Sequence, residues 1–241
     1  MVGMRMYRLG LLALIAAVSA FLPGQALADL TNGSFEETGT DGLTGWTWTV
    51  TGGSGGSASV VNSYTSATGS PVSPWSPTNG AWFALLTPPT GNQETELYQS
   101  FTAPAADSTL AFNFFWDREA NGTAQQDDSA RARILNGIGT SGAQVGSDLF
   151  VFDKATPDTA WGPFSQSIQD LGLTEGSNYT LLFEMINVGQ SYTSHLGIDN
   201  VALTTLESLD QFTPLHAPLP ASFLLAVLGL SAAGLKLRRS V

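Results

Sequence analysis

Period-two alternation is the feature that most constrains this chain. Leu110, Phe112, Phe114 and Trp116 fall on one face of an extended segment, and Tyr179, Leu181, Phe183 and Met185 fall on one face of another. Shorter segments that read the same way cover 46–50, 57–62, 81–86, 94–101, 130–135, 148–152, 164–169 and 195–203. Turn residues (Gly, Pro, Asn and Asp) separate them, and no helix-period stretch competes. The pattern predicts an all-β fold, a sandwich of about ten strands. Composition points the same way. Charged residues make up only 12% of the 241, while 26 Gly and 12 Pro favour turns over helices. A chain of this length holds one domain of ordinary size with segments left over at the ends.

Charge and cysteine usage exclude whole classes of function. The nine basic residues include Arg5, Arg8, Lys236, Arg238 and Arg239 near the ends. Residues 29–217 therefore hold four basic side chains against twenty acids, a net of −16. Such a domain has little with which to neutralise phosphates, which argues against nucleic acid and anionic membrane surfaces as partners. The absence of cysteine removes disulfides, thiol nucleophiles and thiolate metal sites together. His195 and His216 are the only imidazoles, too few for a zinc centre.

Both ends read as addresses. Arg5 and Arg8 precede an apolar stretch over 9–22, a Pro23-Gly24 breaker and then Ala26-Leu27-Ala28. This is the three-part order of a secretory signal peptide spanning 1–28, with small residues Ala26 and Ala28 at the cleavage site. The apolar core is shorter than the roughly 20 residues of a membrane span. At the other end, a tether over 204–216 leads to Ala217-Pro218-Leu219-Pro220-Ala221, an apolar run to Leu235, and a basic tail with Lys236, Arg238 and Arg239. Positive charge behind an apolar segment holds that end in the cytoplasm, so export would pause with the domain outside and the tail transiently in the inner membrane.

This carboxy-terminal order resembles the sorting signals of exosortase substrates in Gram-negative bacteria. Ala217-Pro218-Leu219-Pro220-Ala221 is similar to the Val-Pro-Leu-Pro-Ala variant of the Pro-Glu-Pro signal, with Ala217 where Val is usual. The resemblance implies that an exosortase-type enzyme recognises Pro218, Leu219 and Pro220 and releases or attaches the domain. It carries no statement about what the domain does.

The domain opens with Asn32-Gly33-Ser34-Phe35-Glu36, continues with Leu43-Thr44-Gly45-Trp46, and closes with Leu196-Gly197-Ile198-Asp199-Asn200-Val201-Ala202-Leu203. With Gly176-Ser177-Asn178-Tyr179-Thr180-Leu181-Leu182-Phe183-Glu184 as a penultimate strand, residues 31–203 of the domain expected over 29–203 resemble the jelly-roll sandwiches of the galactose-binding-like superfamily, which includes many carbohydrate-binding modules. That resemblance implies a structural calcium ion tying the first strand to the last through Glu36 and Asp199; hard oxygen ligands suit calcium. The residues add a hint of their own. Apolar side chains sit at even positions at Leu196 and Ile198 but at odd ones at Val201 and Leu203, a phase change that predicts a β-bulge at Asp199-Asn200.

Aromatic faces can stack on sugar rings, and those on loops are the candidates for it. Trp46, Trp82, Trp116 and Trp161 sit in or beside predicted strands and read as packing. Trp75 lies in a Pro- and Ser-rich loop with Tyr64 at its start. Asp117, Asp127 and Asp128 bound an acidic segment that reads as a solvated hairpin loop, with a polar rim for a saccharide or a second calcium site as the other readings. The expected ligand-binding set is thus Tyr64, Trp75, Asp117, Asp127 and Asp128. Asp117 and Glu119 could in principle serve as a glycosidase pair, but no other hydrolase motif accompanies them. His195 and Asp199 stand about 13 Å apart along a strand, too far to pair in a catalytic triad. The sequence is therefore expected to encode an exported, non-catalytic domain that binds extracellular polysaccharide. The alternatives are a biofilm or envelope component that self-associates through calcium and, more remotely, a carboxylate-dependent glycoside hydrolase.

Overall fold

The computed structural model describes residues 30–205, apart from 38–41, 53, 68, 92, 119–127, 154 and 188–193. The signal segment with Ala26 and Ala28 lies outside the described residues. So do the sorting motif Pro218, Leu219 and Pro220 and the tail with Lys236, Arg238 and Arg239. Ten strands are present: β1 Thr47–Thr51, β2 Ser57–Val61, β3 Phe83–Thr87, β4 Gln93–Thr102, β5 Thr109–Asp117, β6 Ser129–Asn136, β7 Gln144–Phe152, β8 Gly162–Ser167, β9 Asn178–Asn187 and β10 His195–Thr204. No helix occurs among the described residues.

The strands form two antiparallel sheets, a front sheet ordered β1-β4-β9-β6-β7 and a back sheet ordered β2-β3-β10-β5-β8. Their pairing is nested. β6 pairs with β7, β5 with β8, β4 with β9 and β3 with β10, and successive pairs alternate between front and back. A long antiparallel ribbon that is folded at the β6–β7 turn and then rolled up gives this order, which is the winding of a jelly roll. β1 and β2 widen the two sheets by pairing with β4 and β3.

Each segment read from the sequence is a strand, with boundaries shifted by a few residues. The largest shift is at β7, which begins at Gln144, ahead of its apolar run. Backbone pairing of Gln144 and Val145 with Leu135 and Ile134 sets that end without any side-chain alternation. Between the sheets, Leu97, Phe101, Leu181, Phe183 and Met185 from the front meet Leu86, Leu110, Phe112, Trp116, Leu196 and Ile198 from the back. Phe112 and Phe183 meet edge to face across the sandwich at 5.2 Å. Each such large apolar side chain contributes roughly 1.5–3 kcal/mol on burial.

The back sheet is apolar on its outer side as well. Phe83, Leu85 and Phe115 point away from the main core, and segment 62–82 lies over them and adds Trp75, Tyr64 and Val72 to a second cluster. Trp75 stacks on Phe115 at 4.5 Å, donates its indole N–H to the Thr159 carbonyl, and is only 2% exposed. The expectation of an exposed loop tryptophan is corrected here. The Pro- and Ser-rich segment is a loop, but it folds flat onto a sheet whose outer face needs cover.

The predicted bulge is present. The pairing of β10 with β5 shifts register between Asp199 and Ala202, Asn200 takes a φ of 55°, and Val201 returns to the core.

Candidate functional site

Strand alternation sets the character of the front sheet's outer face. In β4 the odd residues Thr95, Leu97, Gln99 and Phe101 are buried, while Glu94, Tyr98 and Ser100 on the other face are only half-buried. Cross-strand register then lines up three rows on the outer side. Thr49, Glu96, Glu184, Arg131 and Val151 form one row across all five strands. Thr47, Tyr98, Leu182 and Arg133 form the row on one side of it, and Thr51, Glu94, Ile186 and Ser129 the row on the other. Neighbours in a row are close enough to interact directly.

Glu184 is the hub. Arg131 Nε donates to its Oε2 at 2.7 Å and Arg133 Nη2 donates to its Oε1 at 2.6 Å. Thr49 Oγ1 donates to Glu96 Oε2 at 2.9 Å, and the carboxylates of Glu94, Glu96 and Glu184 come within 4.8 Å of one another. Burial raises the Glu94 pKa, and the charge of Glu184 raises it further. The hydrogen bond from Arg131 to Glu184 holds the guanidinium proton more tightly. Arg133 Nε is buried and has no hydrogen-bond partner among the described residues.

The middle of the face is closed to solvent. Glu184 and Leu182 point outward from the central strand β9 yet are fully buried, whereas Val151 on the edge strand β7 is 57% exposed. The β6–β7 turn closes one end, with Gly139 N–H donating to Ser100 Oγ and Thr180 Oγ1 donating to the Gly137 carbonyl. A floor of fixed carboxylates and guanidiniums, with the Tyr98 ring beside it, presents acceptors and donors at set positions. Hydroxyl groups, which both donate and accept, match that pattern.

The residues singled out in the sequence lie elsewhere. Tyr64 Oη is 2.6 Å from Asp117 Oδ2, to which it donates, and 2.7 Å from His195 Nδ1. His195 faces Asp117 across β10 and β5, so the pairing is a consequence of register. Burial lowers the His195 pKa to about 4, which leaves the ring neutral at pH 7. The neutral tautomer that satisfies both contacts carries its proton on Nδ1 and donates it to the tyrosine oxygen. Asp117 is completely buried, and Asp128, whose Oδ2 accepts the Ser194 N–H, is nearly so. Neither forms an exposed rim: Tyr64 of the covering segment bonds the first, and the backbone at the start of β10 bonds the second. Asp127 and Glu119 fall outside the described residues.

Glu36 and Asp199 both hold segment 78–82. Glu36 Oε1 accepts the N–H groups of Ala81 and Trp82 at 2.8 and 2.9 Å. Asp199 Oδ2 accepts Thr78 N–H, Thr78 Oγ1–H and Asn79 N–H, and its Oδ1 accepts Asn200 N–H. Burial raises the Asp199 pKa, and these hydrogen bonds pull it back. Calcium needs six to eight oxygens with lone pairs turned inward. Glu36 Oε1 and both Asp199 oxygens face N–H and O–H donors, and Glu36 Oε2 is the one carboxylate oxygen of the pair with no donor among the described residues, so the pair does not fit such an ion.

The front-face residues Glu94, Glu96, Tyr98, Arg131, Arg133 and Glu184 went unread in the sequence. The signal for them was present as Glu94-x-Glu96 and Arg131-x-Arg133, like charges spaced by the strand period in a chain with few charges.

No family model matches this sequence, and no curated protein matches it. Solved structures do. The enzymatically active domain of bacteriophage CBA120 tailspike protein 4 aligns at 14% identity and a TM-score of 0.45, over 73% of this chain and 21% of that one. A carbohydrate-binding module of the β-sandwich superfamily aligns at 11% identity and 0.44, over 75% of this chain and 62% of that one. The chain thus spans less than two thirds of both. The family 11 carbohydrate-binding module of Clostridium thermocellum, solved with a β-1,3-1,4-mixed-linked tetrasaccharide, aligns at 12% identity and 0.43, over 73% and 94%. These are distant likenesses, and the jelly-roll assignment rests on the strand winding itself.

Proposed function

We propose that the domain is a non-catalytic polysaccharide-binding module and that it binds through the outer face of the front sheet. The observation that carries this reading is the ordered array centred on Glu184, in which Arg131 and Arg133 are fixed on one buried carboxylate while part of each side chain stays in solvent. Guanidinium N–H groups that still face solvent can donate to ligand hydroxyls, and charge-assisted bonds of this kind are about twice as strong as neutral ones. Tyr98 supplies a ring face in the adjoining row, and Glu94 and Glu96 supply acceptors. The partner is extracellular polysaccharide because the ends of the chain read as an export signal and a sorting tail for an exosortase-type enzyme, with passing insertion in the inner membrane and a final place at the cell surface or outside the cell. Amino-terminal sequencing that begins at Asp29, and a mass that lacks the tail, are the expected results for those two addresses. A mature chain that retains both ends contradicts them.

Affinity electrophoresis over a panel of neutral, acidic and amino-substituted polysaccharides tests the binding itself. The module is expected to be retarded selectively. Tyr98→Ala and Arg133→Ala should each weaken retardation about tenfold, equivalent to about 1.4 kcal/mol. Retardation by none of the glycans, or retardation that both variants preserve, rejects the front face as the site. Appearance of new reducing ends during incubation rejects the non-catalytic reading.

A further inference from the structure

The opening turn, the bulge of β10 and the end of the covering segment meet at one place. Val201 N–H donates to the Gly33 carbonyl at 2.9 Å, which pins the turn to the strand just past the bulge. The approach is so close that a Cβ at Gly33 would strike the Val201 carbonyl. Gly80, with a φ of +73°, passes Glu36 so closely that a Cβ there would strike the carboxylate. Three residues with side chains, Asn32, Phe35 and Asn200, take positive φ at this junction. Such conformations cost on the order of 1–3 kcal/mol each and persist only where surrounding contacts enforce them.

The two carboxylates supply that enforcement. Asp199 is completely buried and has four donors on its two oxygens, three of them on Oδ2. Glu36 Oε1 has two. Asn113 Nδ2 donates to Thr78 Oγ1 at 3.0 Å, so the threonine hydroxyl passes the contact on to β5. Charge-assisted hydrogen bonds of this kind are about twice as strong as neutral ones. Six such bonds converge on 78–82 and on Asn200, and they join the first turn, the last strand and the loop that roofs the back sheet.

We propose that this junction is a metal-independent clasp, in which backbone amides and the Thr78 hydroxyl take the positions around Glu36 and Asp199 that a calcium ion would need. The clasp reverses the expectation drawn from the sequence resemblance, in which an ion held first strand to last. The fold and any glycan retention are then the same in calcium-free and calcium-rich media. This inference stands independently of the glycan reading, because the clasp lies on the back-sheet side and shares no residue with the front face.

Melting curves of the purified chain in excess chelator and in millimolar calcium test it. The two curves are expected to coincide within about 1 °C, since an ion that binds neither state shifts nothing. Asp199→Asn, which turns an N–H₂ or a weaker acceptor toward three donors, is expected to lower the melting temperature by several degrees equally in both media. Thr78→Val, which removes one donor and keeps the two amides, is the milder variant if Asp199→Asn does not fold, and its loss is likewise expected to be the same in both. An ion bound at a hundred times its Kd would raise the melting temperature by roughly 5–10 °C. A rise of that size in the wild type, abolished in Glu36→Gln, overturns the proposal.

Discussion

Tyr64 carries one hydroxyl between two groups that titrate. Its proton goes to Asp117 and its oxygen receives His195 Nδ1, so replacement by phenylalanine takes one hydrogen bond from a buried carboxylate and one from a buried imidazole at once. Tyr64→Phe should lower the free energy of denaturant unfolding by about 1–3 kcal/mol while leaving glycan retention unchanged. The same site makes the domain acid-sensitive. The His195 pKa falls from 6.5 unfolded to about 4 folded because burial disfavours the charged ring. The unfolded chain therefore binds the extra proton across that window. Stability is complete above pH 6.5 and declines as pH falls toward 4, by up to about 3 kcal/mol at about 1.4 kcal/mol per unit. Asp199 and Glu94, both raised by burial, act in the opposite sense as pH drops toward the carboxylate range. Urea unfolding at a series of pH values should show the decline between 6.5 and 4, and a His195→Gln variant should flatten it; a wild-type midpoint that does not change over that window contradicts the assignment.

At the scale of elements, β10 shows what a strand pattern can and cannot tell. The switch of apolar parity from Ile198 to Val201 gave away the bulge, because side chains two apart must share a face unless a residue is inserted. Asn200 occupies the inserted position with a φ of 55°, a conformation that asparagine tolerates and alanine resists. Asn200→Gly should be near neutral and Asn200→Ala should cost about 1–2 kcal/mol, measured by chemical unfolding. Trp75 was misjudged for an equally physical reason. Loop composition reveals a loop, but whether the loop stands in water depends on the surface beneath it, and that surface was written in β5. Phe114, Phe115 and Trp116 are three consecutive large apolar residues, so the strand must be covered on both sides. Asp117 and Asp128 are buried likewise, the first beneath the segment that covers the back sheet, and burial of that kind is set by tertiary contacts that no single segment discloses.

For the molecule as a whole, the rolled ribbon produces two unlike outer faces from one alternation rule. The back face is closed by its own chain, with the carboxylate clasp at one end of the cover and the tyrosine bridge at the other. The front face keeps polar rows, and it collects Arg131 and Arg133, half of the basic residues between 29 and 217. All-β class and strand number were legible because local periodicity and turn residues encode them, whereas the winding was implied only by the resemblance of the opening and closing motifs to jelly-roll sandwiches. The front-face array was not, because its residues come from β4, β6 and β9, three strands far apart in sequence that only the sheet order brings together. The measurement that tests the account most directly compares glycan retention by the wild type, by Arg133→Ala on the front face and by Tyr64→Phe on the back. The account predicts that retention falls about tenfold in the first variant and holds in the second; loss confined to Tyr64→Phe, with Arg133→Ala retained like the wild type, contradicts it.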